Sequence, residues 1–183
     1  MTSSPAYTLR SAPTLETERL TLRRFEVSDF DAHLAIMAEP EVHRHLGPPQ
    51  SREDLWRRTI GAVGMWSVLG YGGWMVVRKA DSALIGNVGL FDGHRDITPN
   101  FEGTPEMGWI FSPAVHSQGI AREACEAMLG WVDANLQPTP IWAIISPENT
   151  ASFKLAERLG FERLPDSIYH DEPIAVLRRP ARA

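Results

Sequence analysis

The feature that most constrains this chain is a strand-like run, Glu106 to Phe111, leading through a glycine-containing turn into a helix-period stretch, Ala121 to Asn135. There Ala121, Ala124, Cys125, Met128, Trp131 and Val132 recur at spacings that place them on one stripe. A helix with one apolar stripe must bury it against another layer, and the neighbouring strand supplies a sheet. The 183 residues suit one compact domain built on that contact.

The other segments extend the same plan. Arg19 to Phe25 alternates as a strand does. Ser28 with Asp31 has the form of a helix start, Leu34 and Met37 recur behind it, and Pro40 ends the run. Arg44 to Gln50, with Gly47, Pro48 and Pro49, is a loop. Ser51 with Asp54 repeats the start signal for a helix facing inward with Leu55, Thr59, Val63 and Trp66 and stopping before Gly70 and Gly72. Trp74 to Val77 and Leu84 to Phe91 form a hairpin about Lys79 to Ser82, and Asp92 to Pro105 is a long polar loop. Ile141 to Ile145 is a buried-type strand, Asn149 to Leu159 a helix closed by Gly160, and Phe161 to Arg179 a pair of strands turning at Asp171-Glu172-Pro173. No repeat interrupts this mixed order, which predicts an α+β fold from Leu15 to Ala183 behind a mobile tail, Met1 to Thr14.

Composition removes several function classes. No apolar run approaches the roughly 18 residues of a membrane span, and the first residues carry neither a secretory nor a transit signal. The lone Cys125 can form no internal disulfide and reads as a small core residue, so a cytoplasmic address is expected. A formal charge of −5 speaks against nucleic acid as a partner and suits a cationic amine. His43, His45, His94 and His170 lack metal-ligand spacing, and no metal is expected. The aromatic residues Trp56, Trp66, Trp74, Trp131 and Trp142 fit core faces, and Trp66 is also a candidate for lining an acceptor site.

The chemistry concentrates at the junction Ser112-Pro113-Ala114-Val115-His116-Ser117-Gln118-Gly119-Ile120-Ala121-Arg122. Unpaired backbone N–H groups at a helix start, with the positive end of its dipole, form an anion cradle, and Gly119 lets the anion approach the main chain. No Lys-Ser/Thr follows the glycine as a nucleotide P-loop requires.

This segment resembles the coenzyme A pyrophosphate loop, (R/Q)xxGx(G/A), of the GCN5-related N-acetyltransferases, with His116 standing in place of Arg or Gln. Glu106-Met107-Gly108-Trp109-Ile110-Phe111 resembles the family's central strand, and Ile145 to Phe161 its second cofactor motif. Thr17 to Arg23 and Leu84 to Leu90 point to the RimJ/RimL-like subgroup. The resemblance implies a twisted, mostly antiparallel sheet splayed after the central strand and flanked by about four helices. It implies acetyl-coenzyme A as donor: backbone groups of Ile110 and Phe111 on pantetheine, His116, Ser117, Gln118, Gly119, Ile120, Ala121 and Arg122 around pyrophosphate, and Asn149 on coenzyme A as well as capping its helix.

Ala156 stands where many relatives have a general-acid tyrosine, which leaves Ser152 to serve the departing thiolate. Glu106 is either the base for the amine or an ordinary strand-end carboxylate, with a water relay as the alternative base. The acceptor is a protein N-terminal α-amine, as in the resembling subgroup, or a small amine such as a polyamine or aminoglycoside. Glu39, Glu41, His43 and His45 favour a cationic one. A non-catalytic acyl-coenzyme A binding module stands as a different class, and monomer and homodimer are equally open.

Overall fold

The computed structural model describes residues 10–182. Nine strands are found there: β1 (Leu15–Glu16), β2 (Leu20–Arg23), β3 (Gly73–Arg78), β4 (Leu84–Phe91), β5 (Glu106–Phe111), β6 (Ile141–Ile145), β7 (Glu162–Arg163), β8 (Ser167–Tyr169) and β9 (Glu172–Arg179). The helices are α1 (Phe30–Ala38), the single turn α2 (Pro40–His43), α3 (Arg52–Leu69), α4 (Ile120–Asn135) and α5 (Thr150–Arg158). The sheet runs β1-β2-β3-β4-β5-β6-β9-β7, with β8 paired to β9 alone. Every pairing is antiparallel except β5 with β6, giving the mixed α+β sheet expected. Among the described residues no helix is long and apolar enough to cross a membrane.

Both faces of the sheet are covered. On one, the α4 stripe Ala124, Cys125, Met128 and Val132 packs with Leu22, Val88, Met107 and Phe111, and α5 adds Ala156. Met128 is wholly buried, so truncating it to alanine costs about 2–5 kcal/mol. On the other, Phe30, Met37 and Leu55 of α1 and α3 meet Ile110 of β5. Trp66, Trp74 and Trp131 form an edge-to-face cluster with centroids 4.6–5.4 Å apart. Trp66 is therefore a core residue, whereas Trp56, expected inside, is 36% exposed.

Local chemistry set some boundaries away from where the sequence pointed. Ser51 does cap α3, accepting from the Asp54 N–H at 3.1 Å. Ser28 caps nothing; Glu26 and Asp29 form the capping box of the 3₁₀ turn Val27–Asp29 that leads into α1, and Asp29 is held by Arg23. The last hairpin turns at His170 and Asp171, both at positive φ, so Glu172 and Pro173 already belong to β9. The segment before β1 is docked from Ala12, which is buried, and the Pro13 carbonyl accepts from Trp74 Nε1 at 2.8 Å. The rest of the tail expected to be mobile, residues 1–9, lies outside the described residues. The loop between β4 and β5 is anchored by buried Ile97 and Phe101, the latter stacked on Trp142 at 4.9 Å.

Candidate active site

The sheet opens beside β5. Register between β5 and β6 is confined to Glu106 opposite Trp142, with the Trp142 N–H donating to the Pro105 carbonyl at 2.9 Å. Beyond it β6 turns fully to β9, pairing from Ile141 to Ile145. Residues of an antiparallel pair alternate between exchanging hydrogen bonds and not exchanging them. Ser112 N–H donates to the Ile85 carbonyl, and in that register Asn87 and Ile110 are also a bonded pair. Ile110, expected to offer its backbone at the splay, is thus directed to β4. The groups facing the gap are those of Trp109 and Phe111, and the Phe111 carbonyl lies 3.2 Å from His116 Nε2.

The cradle sits at the mouth of this gap. Ser112 caps the 3₁₀ turn Pro113–Val115, Ser117 and Gly119 take positive φ of 60° and 75°, and Gly119 is the N-cap of α4. The first intrahelical bond is Glu123 N–H to the Gly119 carbonyl, so the amides of Ile120, Ala121 and Arg122 have no partner within the helix. A side chain at Gly119 would sit in the left-handed region that L residues adopt at a cost. Gln118 folds back to the Ala114 carbonyl at 2.9 Å, and the Arg122 side chain pairs with Glu126. Arg19, which the sequence did not single out, donates to the Gln118 carbonyl at 2.9 Å and to Glu123, tying the loop to the start of β2. No local motif marks that tie because it spans about a hundred residues of chain.

Across the gap, Asn149 Oδ1 caps α5 by accepting from the Ser152 N–H at 3.0 Å. Its amide nitrogen has no hydrogen-bond partner among the described residues and is available to a ligand. The Ser152 hydroxyl accepts from the Trp109 indole N–H at 3.2 Å. A hydroxyl that accepts at oxygen keeps its own proton to donate, and an N–H donor on the oxygen makes that proton more acidic. Ser152 and Trp109 therefore form a donor pair between α5 and β5.

Glu106 stands on the opposite face of β5, with Ile110, and is 2% exposed. Both of its oxygens accept from Arg95, at 2.6 and 2.9 Å. Burial pushes its carboxyl up from the ordinary value, with Arg95 pulling the other way. Glu106 is thus engaged by a guanidinium, which ties the β4–β5 loop to β5. On the same face a cavity of about 70 Å³ is lined by His33 of α1, Leu55, Arg58 and Thr59 of α3, and Met75, Asn87 and Ile110 of adjacent strands. Met75, Asn87 and Ile110 are register partners, forming one row of its floor. Cys125 is fully buried, and burial pushes its thiol up, away from nucleophilic use.

A sheet opened beside its central strand, with a helix-start cradle at the opening, is the arrangement that the sequence resemblance implied. The model of the acetyltransferase (GNAT) domain matches residues 19–162. The chain belongs to the GNAT acetyltransferase family. An uncharacterised N-acetyltransferase of Bacillus licheniformis, p20, is 28% identical over 152 residues, covering 82% of this chain and 83% of that protein. The crystal structure of an acetyltransferase from Agrobacterium tumefaciens strain C58 superposes with a TM-score of 0.79 at 30% identity, over 92% of this chain and 94% of that one. RimL, a ribosomal L7/L12 α-N-protein acetyltransferase solved with coenzyme A, shares the fold with a TM-score of 0.72 at 14% identity, over 92% and 98%. This GNAT chain is thus an N-acetyltransferase. The cradle amides, the free edge of β5 and the unused Asn149 nitrogen suit its acyl-coenzyme A substrate.

Proposed function

We propose that this acetyltransferase moves the acetyl group of acetyl-coenzyme A directly to an amine, with Ser152 serving the leaving sulfur. The observation that carries the reading is the Ser152–Trp109 pair, set across the β5–β6 opening from the α4 cradle. The thioester supplies an activated acyl carbon. In the transfer a nitrogen–carbon bond forms, the carbon–sulfur bond breaks, one proton leaves the nitrogen and one reaches the sulfur. An unpaired backbone N–H of Trp109 or Phe111 stabilises the developing oxyanion, the Ser152 hydroxyl donates to the thiolate, and water carries away the amine proton. The amine enters from the α1–α3 side through the cavity beside Ile110. A small cavity behind that entrance favours a small amine, whereas likeness to RimL points to a protein α-amine.

Acetyl-coenzyme A is expected to raise the melting temperature, dephospho-coenzyme A to do the same because pyrophosphate is the anchor, and ATP to compete poorly. Stabilisation by ATP alone would remove the coenzyme A reading.

A further inference from the structure

The acceptor cavity carries polar atoms that nothing in the fold satisfies. His33 is 5% exposed, and its Nδ1 has no hydrogen-bond partner. Asn87 Oδ1, on the floor of the same cavity, is likewise buried without one. Each such atom costs about 1–3 kcal/mol if left dry, so a side-chain shift that turns them to the cavity lets both accept from the N–H groups of a bound amine. Burial and the nearby Arg58 lower the imidazole pKa to about 4, so His33 is neutral and accepts without opposing an incoming amine.

The unpaired charge lining the cavity is that of Arg58. Arg23 neutralises Asp29, Arg95 neutralises Glu106, and Asp92 is turned to the Gly103 N–H and to His94. Arg58 has no carboxylate or hydrogen-bond partner among the described residues. It lines the cavity from an exposed position, within electrostatic reach of His33, Arg95 and Glu106. Glu39 and Glu41 are exposed and line no part of the cavity. Of the remaining lining, Phe25, Met37, Leu55, Met75 and Ile110 are apolar, and the Thr59 hydroxyl donates to the Leu55 carbonyl.

We infer that the acceptor is a small primary amine that also bears a carboxylate and a compact apolar side chain, its amine directed to His33 and Asn87 and its carboxylate to Arg58. The inference rests on the acetyltransferase reading and narrows it. A polyamine would bring a second positive charge against Arg58, and a plain alkylamine would leave the guanidinium unpaired.

The test uses acceptors of one carbon skeleton: L-leucine, L-leucinamide and 3-methylbutylamine, with spermidine and a peptide N-terminus beside them. Thiol release by the full-length protein is followed, and kcat/KM is referred to the concentration of free amine. L-Leucine is expected to exceed leucinamide and 3-methylbutylamine at least about tenfold. Arg58→Gln is expected to erase that gap, lowering kcat/KM for L-leucine at least about tenfold toward the level of the two uncharged analogues. Arg58→Lys, which keeps the charge, should restore part of the preference, and unchanged acetyl-coenzyme A affinity shows that the variants are folded. Equal rates across the series, an Arg58→Gln loss shared by all acceptors, or transfer confined to spermidine or the peptide would overturn the inference while leaving the acetyltransferase reading intact. Release of thiol with none of the amines, despite acetyl-coenzyme A binding, overturns both.

Discussion

Replacing Glu106 by glutamine preserves its volume and removes its charge from a site where both oxygens are bound by Arg95, at 2.6 and 2.9 Å. The side chains of Glu106 and Arg95 are 3% and 19% exposed, so water cannot fully compensate. Breaking a buried ion pair by removing one partner costs about 3–5 kcal/mol. Here the amide oxygen still accepts one bond, and Arg95 keeps some solvent and the rings of Phe91 and Tyr169, at 5.7 and 4.9 Å. The expected loss is therefore about 2–3 kcal/mol, a fall in melting temperature of about 4–12 °C for a domain of this size. Differential scanning fluorimetry measures that, and a pH–rate profile measured well below the new midpoint completes the assay. The profile is expected to keep its shape, because both Glu106 oxygens are engaged by Arg95. An unchanged melting temperature, to within about a degree, with a rate loss recovered at high pH would refute this reasoning and restore Glu106 as the base.

Three further outcomes follow from the same geometry. Ser152→Ala is expected to lower kcat about 10- to 100-fold with acetyl-coenzyme A affinity nearly unchanged, and Trp109→Phe to lower it less; full activity in Ser152→Ala would hand the thiolate to solvent. Gly119→Val forces a β-branched residue to a φ of 75° at the α4 N-cap and should weaken acetyl-coenzyme A binding at least about tenfold by calorimetry; unaltered affinity would remove the cradle from the account. His33 binds its proton less readily folded, at about 4, than unfolded, at 6.5. The stability it contributes is present above pH 6.5 and is lost as pH falls through 4, by at most about 3 kcal/mol. His33→Gln should flatten urea-derived stability across that window, and an identical acid slope would contradict the burial argument.

What could be read from the sequence divides by how local the deciding physics is. The α3 cap at Ser51, the stripe of α4 and the glycine-opened cradle are local, and each was legible because a few neighbouring residues determine it. The Arg95–Glu106 pair was hidden because Arg95 reaches Glu106 from a loop read only as polar, whose buried anchors Ile97 and Phe101 carry no periodic signal. Ile110 failed on parity: which residue of a strand faces its neighbour depends on register, and one position reverses the answer. The cavity was invisible because His33, Arg58 and Asn87 come from three elements joined only by packing. Glu39 and Glu41, from which the sequence reading drew a cationic acceptor, are exposed and line no part of it.

The central claim is catalysis at this opening, and quantifying thiol and acetylated amine in one reaction tests it most directly. With acetyl-coenzyme A, an accepted amine and the full-length chain, both products should appear together in one-to-one ratio, at a rate that rises with amine and falls in Ser152→Ala. Thiol without acetylated amine, or acetyl-coenzyme A bound tightly with neither product formed, would contradict it and leave an acyl-coenzyme A binding module in its place.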